Sequence, residues 1–390
     1  MTIYLDHAAG QPLRPAAREA ILAAWDALGG QGANPSAAHR AGRAAADLLF
    51  SARERVAHLV GAATAEIVFT AGGTEADAIA VRGALDADRA AGGAARAVIT
   101  GVEHPAVAEN AAACAGELDV IPVDPSGAVD MAAAETILSS GVRPALVSLV
   151  AVASETGALT PIRELTALVR ERWGGEVVVH VDAVQAAGRI EVDAGKWGVD
   201  CLSLAGHKIG APPATGALYV SRSCSLLAPI LGGGQERGLR SGTQDVALAQ
   251  GFAAALSEAE TSRAETMARH DAFQERLCEG ISTLEGVSVA TNCPRVSSIT
   301  MLTCEGAPAE PLVFALDAAG IAASAGSACH TGVTRPSPAL LAQGLSEDVA
   351  SSSLRVSMGW STSASDIEGF IDALPGALET ARRFARRRPR

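Results

Sequence analysis

No stretch of this sequence reaches the roughly 18 uninterrupted apolar residues that a membrane span needs. Its start, MTIYLDHAAG, lacks the basic opening and apolar run of a secretory signal, so a cytoplasmic protein is expected. Positive charge is scarce: 31 Lys and Arg stand against 43 Asp and Glu, a net charge of -12. That balance argues against a surface built to neutralise phosphate backbones, and so against nucleic acid as a partner. Neither a P-loop nor a GxGxxG fingerprint occurs. The seven cysteines, at 114, 201, 224, 278, 293, 304 and 329, form no CxxC pair and no His/Cys ligand spacing. A disulfide framework and a metal site are therefore not expected. Most of the thiols read as buried small hydrophobes, with one left over to react.

What is present is enough apolar material for a large core. The 390 residues are 48% hydrophobic and include 40 glycines, which suits a well-packed α/β protein of two domains. Between residues 15 and 260, helical stretches alternate with the β-rich runs EIVFTAGG, RAVITGVEH, ALVSLVAVAS, VVVHVDAVQ, CLSLAGHK and GALYVSR. This order predicts a mostly parallel sheet with helices on both faces. Such sheets bind ligands at the carboxyl ends of their strands. Gly72, Gly73 and Thr74, then His104, Glu155, Asp182, Gln185, His207 and Lys208 all fall at or just after those ends. After residue 260 a long helix, strands near VSSITML and SLRVSMG, and a final helix from about Ser363 predict a smaller α+β domain. The expected division is 15–260 for the large domain, with 1–14 and 261–390 for the small one. The tail ARRFARRRPR reads as a solvated helix end.

Three of these strand ends carry chemistry. The two glycines and the threonine of TAGGTEADAIA lie between a strand and a helix, where free amides and a missing Cβ let an anion approach the backbone; an ordinary turn gives the same pattern. Asp182 follows a run of valines, where a carboxylate is costly unless it meets a cation, and a protonated pyridine nitrogen is one such cation. Helix capping or a structural ion pair is the alternative. Lys208, in SLAGHKIG, is either a lysine whose stem lies along apolar surface or an amine held for chemistry.

The set YLDHAA, NPSAAHRAGR, FTAGGTEAD, EHPAV, DAVQ, GHK, GGGQERGLRSGT and SAGSACHTG closely resembles the cysteine desulfurases, long-loop members of the class V, fold-type I pyridoxal phosphate enzymes. The resemblance runs from residue 4 to about 373. It implies a fold-type I transferase with pyridoxal 5'-phosphate as cofactor, L-cysteine as substrate and L-alanine as product. It further implies Lys208 as the lysine bonded to the cofactor, Asp182 as partner of the pyridine nitrogen, Gln185 facing the ring oxygen, and His104 stacked on the ring and moving protons. Gly73, Thr74 and His207 would contact the phosphate, with Thr243 reaching across from the other subunit of a homodimer. Arg355 would grip the substrate carboxylate, and Asn34 falls on the substrate side. Cys329, in a loop rich in Gly, Ser, Thr and Pro, matches the cysteine that becomes a persulfide and passes its sulfur to an acceptor protein, such as an iron–sulfur scaffold or a thiolation enzyme.

Three departures stand out. The family's Asn-Asn-Glu is Ala153-Ser154-Glu155 here, its AATT is AAGQ at 8–11, and a serine before GHK is Ala205. The first two fall on the substrate side. They leave room for another class V activity, such as a selenocysteine lyase or a carbon–sulfur lyase on a modified cysteine. A cofactor-binding scaffold without activity is a third reading, and it gives no reason for Lys208, His104 and Cys329 to occur together.

Overall fold

The computed structural model describes residues 2–29, 33–326 and 336–387, and Cys329 lies outside them. Among the described residues thirteen strands run in chain order: β1 (Ile3–Tyr4), β2 (Ile67–Thr70), β3 (Arg96–Thr100), β4 (Glu117–Ile121), β5 (Leu146–Val150), β6 (Val178–Asp182), β7 (Cys201–Ala205), β8 (Gly216–Val220), β9 (Val287–Val289), β10 (Ile299–Cys304), β11 (Ile321–Ala322), β12 (Ser324–Ala325) and β13 (Ser353–Ser357). Strands β2 to β8 form one sheet in the order β2-β8-β7-β6-β5-β3-β4. Only β8 runs against the rest, pairing antiparallel with both β2 and β7. The other neighbours pair in parallel. Every residue of β2, β3, β5, β7 and β8 is buried, because helices cover both faces and the strands can be apolar throughout.

Strand β4 was not foreseen. Its sequence, ELDVI, is mostly exposed or half-buried, as an edge strand can be, and so lacks the continuous apolar run of its neighbours. The later elements are the helix Arg263–Ile281, an antiparallel sheet in the order β12-β13-β10-β9, and the helix Ala364–Arg387. Leu277, Leu302, Leu312, Leu354, Phe370 and Leu374 pack there into one apolar cluster, which Leu5 joins from the other end of the chain. The pair β1–β11 and a bridge from Asp6 to Ser357 tie the N-terminal segment to this part of the molecule.

The expectation for the cysteines needs correction. Of the six described, only Cys201 and Cys304 are fully buried, while Cys114, Cys224, Cys278 and Cys293 are half-buried. Helix ends and loops carry these four, and such positions do not require an apolar interior. No helix among the described residues is long and apolar enough to cross a membrane.

Candidate active site

Six strands of the large sheet point the same way, so the residues after them gather at one edge. After β2 the chain turns through Gly72, at φ +137°, a conformation open only to glycine. Gly73 then starts the helix Gly73–Ala90 with no room for a side chain: a Cβ there would lie 2.7 Å from Val184 Cγ2 and 3.4 Å from the Ala205 Cβ. The glycine pair thus packs the helix start against the ends of β6 and β7. Its first amides have no intrahelical acceptor and lie next to open space at Gly72.

Asp182 closes β6. It is 4% exposed, and its Oδ1 accepts the Val184 amide at 2.9 Å. Burial raises its pKa; the Val184 amide, His104 and Lys208 pull the other way. Gln185, one turn on, donates through Nε2 to the Ala8 carbonyl at 2.8 Å, while its buried Oε1 has no partner. His104 caps the helix Pro105–Cys114, its Nδ1 accepting the Ala106 amide at 3.1 Å. That bond places the ring proton on Nε2. Burial, and then Lys208, lower its pKa against the attraction of Asp182.

Lys208 ends the short turn after β7. Its Nζ donates to the carbonyls of Ala8 at 2.6 Å and Ala9 at 2.9 Å. Burial, with Arg355 and Arg189 as neighbouring cations, lowers its pKa to about 8. The amine is therefore buried against backbone carbonyls rather than snorkelling to water. Gln11 fixes the backbone beneath it, donating from Nε2 to the Lys208 carbonyl at 2.6 Å and from its amide to the His207 carbonyl at 2.8 Å. The unusual AAGQ segment thus supplies both the acceptors of the lysine and its clamp. His207 is brought down to about 4 by burial, Lys208 and His104, and so is neutral.

Arg355, at the centre of β13, reaches the cluster from the small sheet. It pairs with Asp6 at 2.9 Å and donates to the Ser154 carbonyl at 3.1 Å, with a buried Nε left over. Glu155 accepts from the Ser337 hydroxyl, and burial raises it to about 7. Thr74 follows Gly73 at the helix start. Thr243 is exposed and lines a hollow of about 120 Å³ with Thr70, Ala71, Gly216 and Arg240. Asn34 is exposed and closes a local turn, its Oδ1 accepting the Ser36 amide at 2.8 Å.

Sequence reasoning gave no role to Glu236 of the GGGQERG run, or to Asp77 and His180. Glu236 accepts from Arg53 at 2.5 and 2.6 Å, from the Phe69 amide at 2.8 Å and from Gln244 at 2.9 Å. It pins the segment after β8 onto β2. A buried glutamate was the only signal available, and nothing local in the sequence marks it as buried. No group of acidic, histidine or cysteine side chains among the described residues could hold a metal ion.

A lysine, an aspartate and a glycine-led helix start at the carboxyl edge of such a sheet define an α/β enzyme of the aminotransferase type. The pattern of the class-V aminotransferases matches residues 3–370, and the chain belongs to that family. Within it the chain belongs with the cysteine desulfurases. It is 38% identical over 98% of its length to the IscS-like cysteine desulfurase of Mycobacterium tuberculosis, which it covers to 98%. To the cysteine desulfurase IscS 1 of Archaeoglobus fulgidus it is 32% identical, over 97% of each chain. The solved NifS-like protein of Rickettsia africae superposes with a TM-score of 0.87 at 29% identity, over 97% of this chain and 100% of that one.

Proposed function

We propose that this chain converts L-cysteine to L-alanine with pyridoxal 5'-phosphate, leaving the sulfur as a persulfide on Cys329. What supports the cofactor is the donor set itself. Asp182 is a buried carboxylate with no cation among its bonded partners, Gln185 Oε1 is buried and unpaired, and Lys208 is a depressed amine. The group would sit with its phosphate against Gly73, Thr74 and His207, its ring nitrogen on Asp182, its ring oxygen toward Gln185, and its aldehyde carbon bonded to Lys208. Once bound, it supplies an electron sink for the pair left on the substrate Cα.

The chain's own residues do the rest. Arg355 binds the substrate carboxylate through its planar fork, with Asn34 on the same side. Lys208 Nζ takes the Cα proton, which an amine with a pKa of about 8 does near neutral pH. His104 holds a proton on Nε2 for later transfer. The Cys329 thiolate bonds to the substrate sulfur as the Cβ–S bond breaks, and the pair left on carbon is protonated to give alanine. Cysteine and enzyme thiol thus become alanine and enzyme persulfide, which an acceptor thiol of a scaffold or thiolation protein then takes. Exposed Leu227, Ile230 and Leu231, close in sequence to Thr243, support a second copy of the chain as the completing partner.

The convergence of Asp182, His104 and Arg355 on Lys208, with which each interacts electrostatically, carries this reading. Amino-acid analysis after mixing the protein, loaded with pyridoxal 5'-phosphate to the yellow form expected of a lysine-bonded cofactor, with L-cysteine and a thiol reductant tests it. Alanine from the parent, lost in Cys329→Ala while the yellow colour stays, is the expected result. Pyruvate, or a variant that still forms alanine, overturns it in favour of another carbon–sulfur lyase.

A further inference from the structure

Beneath Asp182 lies a second buried carboxyl that the proposed reaction does not use. Asp77 sits one turn into the helix Gly73–Ala90, on the face packed against the sheet, and is 1% exposed. No lysine or arginine among the described residues pairs with it. Its buried Oδ1 makes no hydrogen bond and lies 3.5 Å from Nε2 of His180. His180 is itself fully buried between two serines, with Nδ1 at 2.8 Å from Ser148 Oγ and Nε2 at 2.9 Å from Ser203 Oγ. Ser148 pairs with His180 across β5 and β6, and Ser203 pairs with Asp182 across β6 and β7. The stack therefore forms the floor on which Asp182 stands.

A charge count decides its state. Burial takes the His180 pKa down to about 3, so the ring is neutral and offers no compensating charge. The ionisable groups facing Asp77 are Asp182 on β6 and Glu103 after β3, both carboxyls, and burial raises Glu103 to about 8, so it too holds its proton near neutral pH. Two adjacent buried anions with one incoming cation between them are unfavourable, and one of them keeps a proton. Asp182 has the Val184 amide, His104 and Lys208 to favour its ionised form. Asp77 has only the Ser203 hydroxyl, and burial together with Asp182 drives it well above the usual carboxylate range.

We propose that Asp77 and His180 are positioning residues for the cofactor site: Asp77 remains a neutral, proton-donating acid, which leaves Asp182 the one ionised carboxylate beneath the ring. This rests on the reading of Asp182 as partner of the ring nitrogen. The direction of the hydrogen bonds follows from it. An Asp77 O–H pointing at His180 Nε2, directly or through Ser203, makes Nε2 an acceptor. The ring's single proton is then on Nδ1, donated to Ser148. An ionised Asp77 would require the opposite tautomer.

Nitrogen-15 NMR of histidine-labelled protein reads this directly, with and without added pyridoxal 5'-phosphate. The His180 signal, assigned by its shift in Ser148→Ala, is expected as a neutral ring protonated on Nδ1; a ring protonated on Nε2, or on both nitrogens, overturns the proposal. A second measurement is the Kd for pyridoxal 5'-phosphate by equilibrium titration of the apoprotein. Asp77→Asn, which still donates, should stay within about threefold of the parent, and Asp77→Leu should lose at least tenfold. Loss in both, or in neither, overturns the proposal as well. Failure of the parent to bind the cofactor would instead count against the cofactor reading, and the NMR of the unloaded protein would still test Asp77.

Discussion

Arg355 Nη2 donates to Asp6 Oδ1 at 2.9 Å, so the arginine expected to grip a substrate carboxylate already holds one from its own chain. Its Nη1 is taken by the Ser154 carbonyl, and its buried Nε has no partner. Asp6 holds the guanidinium in plane, but its charge also opposes an incoming carboxylate. Asp6→Asn keeps the acceptor and removes the charge. The KM for L-cysteine should fall by about threefold to tenfold, roughly 1 kcal/mol, with kcat little changed. Arg355→Lys loses the fork and should raise KM by tenfold or more. Steady-state alanine formation checks both, and a higher KM in Asp6→Asn would mean that orientation outweighs repulsion.

The amine of Lys208 should set the pH dependence of cofactor loading. Its pKa is lowered to about 8, first by burial and then by Arg355 and Arg189. The neutral, reactive form therefore grows as pH rises through 8, well below the ordinary lysine range. The rate at which apoprotein traps pyridoxal 5'-phosphate under borohydride, followed by mass spectrometry, should climb about tenfold per pH unit up to near 8 and then level off. Replacing Arg189 by Gln removes one of the opposing cations and should move the midpoint upward. A rate still climbing at pH 10 would show that the amine is not depressed.

The sheet and its loaded edge were legible because the inner strands are almost wholly buried apolar runs and several are followed, at or just past their carboxyl ends, by polar residues out of keeping with such a run. Lys208, Asp182 and Gln185 stand out for that reason. What stayed hidden depends on partners distant in sequence. Ser154 meets Arg355 through its carbonyl, which no side-chain pattern can announce. Gln11 looked like a loss on the substrate side, yet its amide clamps the lysine turn 197 residues away. Asp77 and His180 read as ordinary helix and strand positions until the sheet brings them together. Strand β4 was missed because edge exposure erased its apolar signal.

Ala205 ends β7 beside the glycine-led helix start, its Cβ facing the position a Gly73 Cβ would take. It is 2% exposed, so a hydroxyl added there would lie against the glycine-led helix start, where the proposed function seats the phosphate, rather than in solvent. Ala205→Ser should tighten binding of pyridoxal 5'-phosphate about threefold to fivefold, the size of one net hydrogen bond of roughly 1 kcal/mol. Pyridoxal lacking the phosphate should show no such gain. Equal gains for both would place the added hydroxyl away from the phosphate.

Glu236 predicts a stability effect separable from catalysis. Its fully buried carboxylate joins Arg53, the Phe69 amide and Gln244, and thereby ties the segment after β8 to β2. Glu236 and Arg237 both adopt positive φ, at +49° and +60°, a strained conformation for residues other than glycine that these bonds must hold in place. Glu236→Ala would leave Arg53 without its anion and the Phe69 amide without its acceptor, a loss of about 3–5 kcal/mol for a broken buried pair. Calorimetry of the apoprotein should show a fall in Tm of several degrees, and saturating cofactor should not restore the parent value, because the broken contacts hold β2 rather than the ligand. Full rescue by cofactor would instead place Glu236 among the groups that act through the binding site.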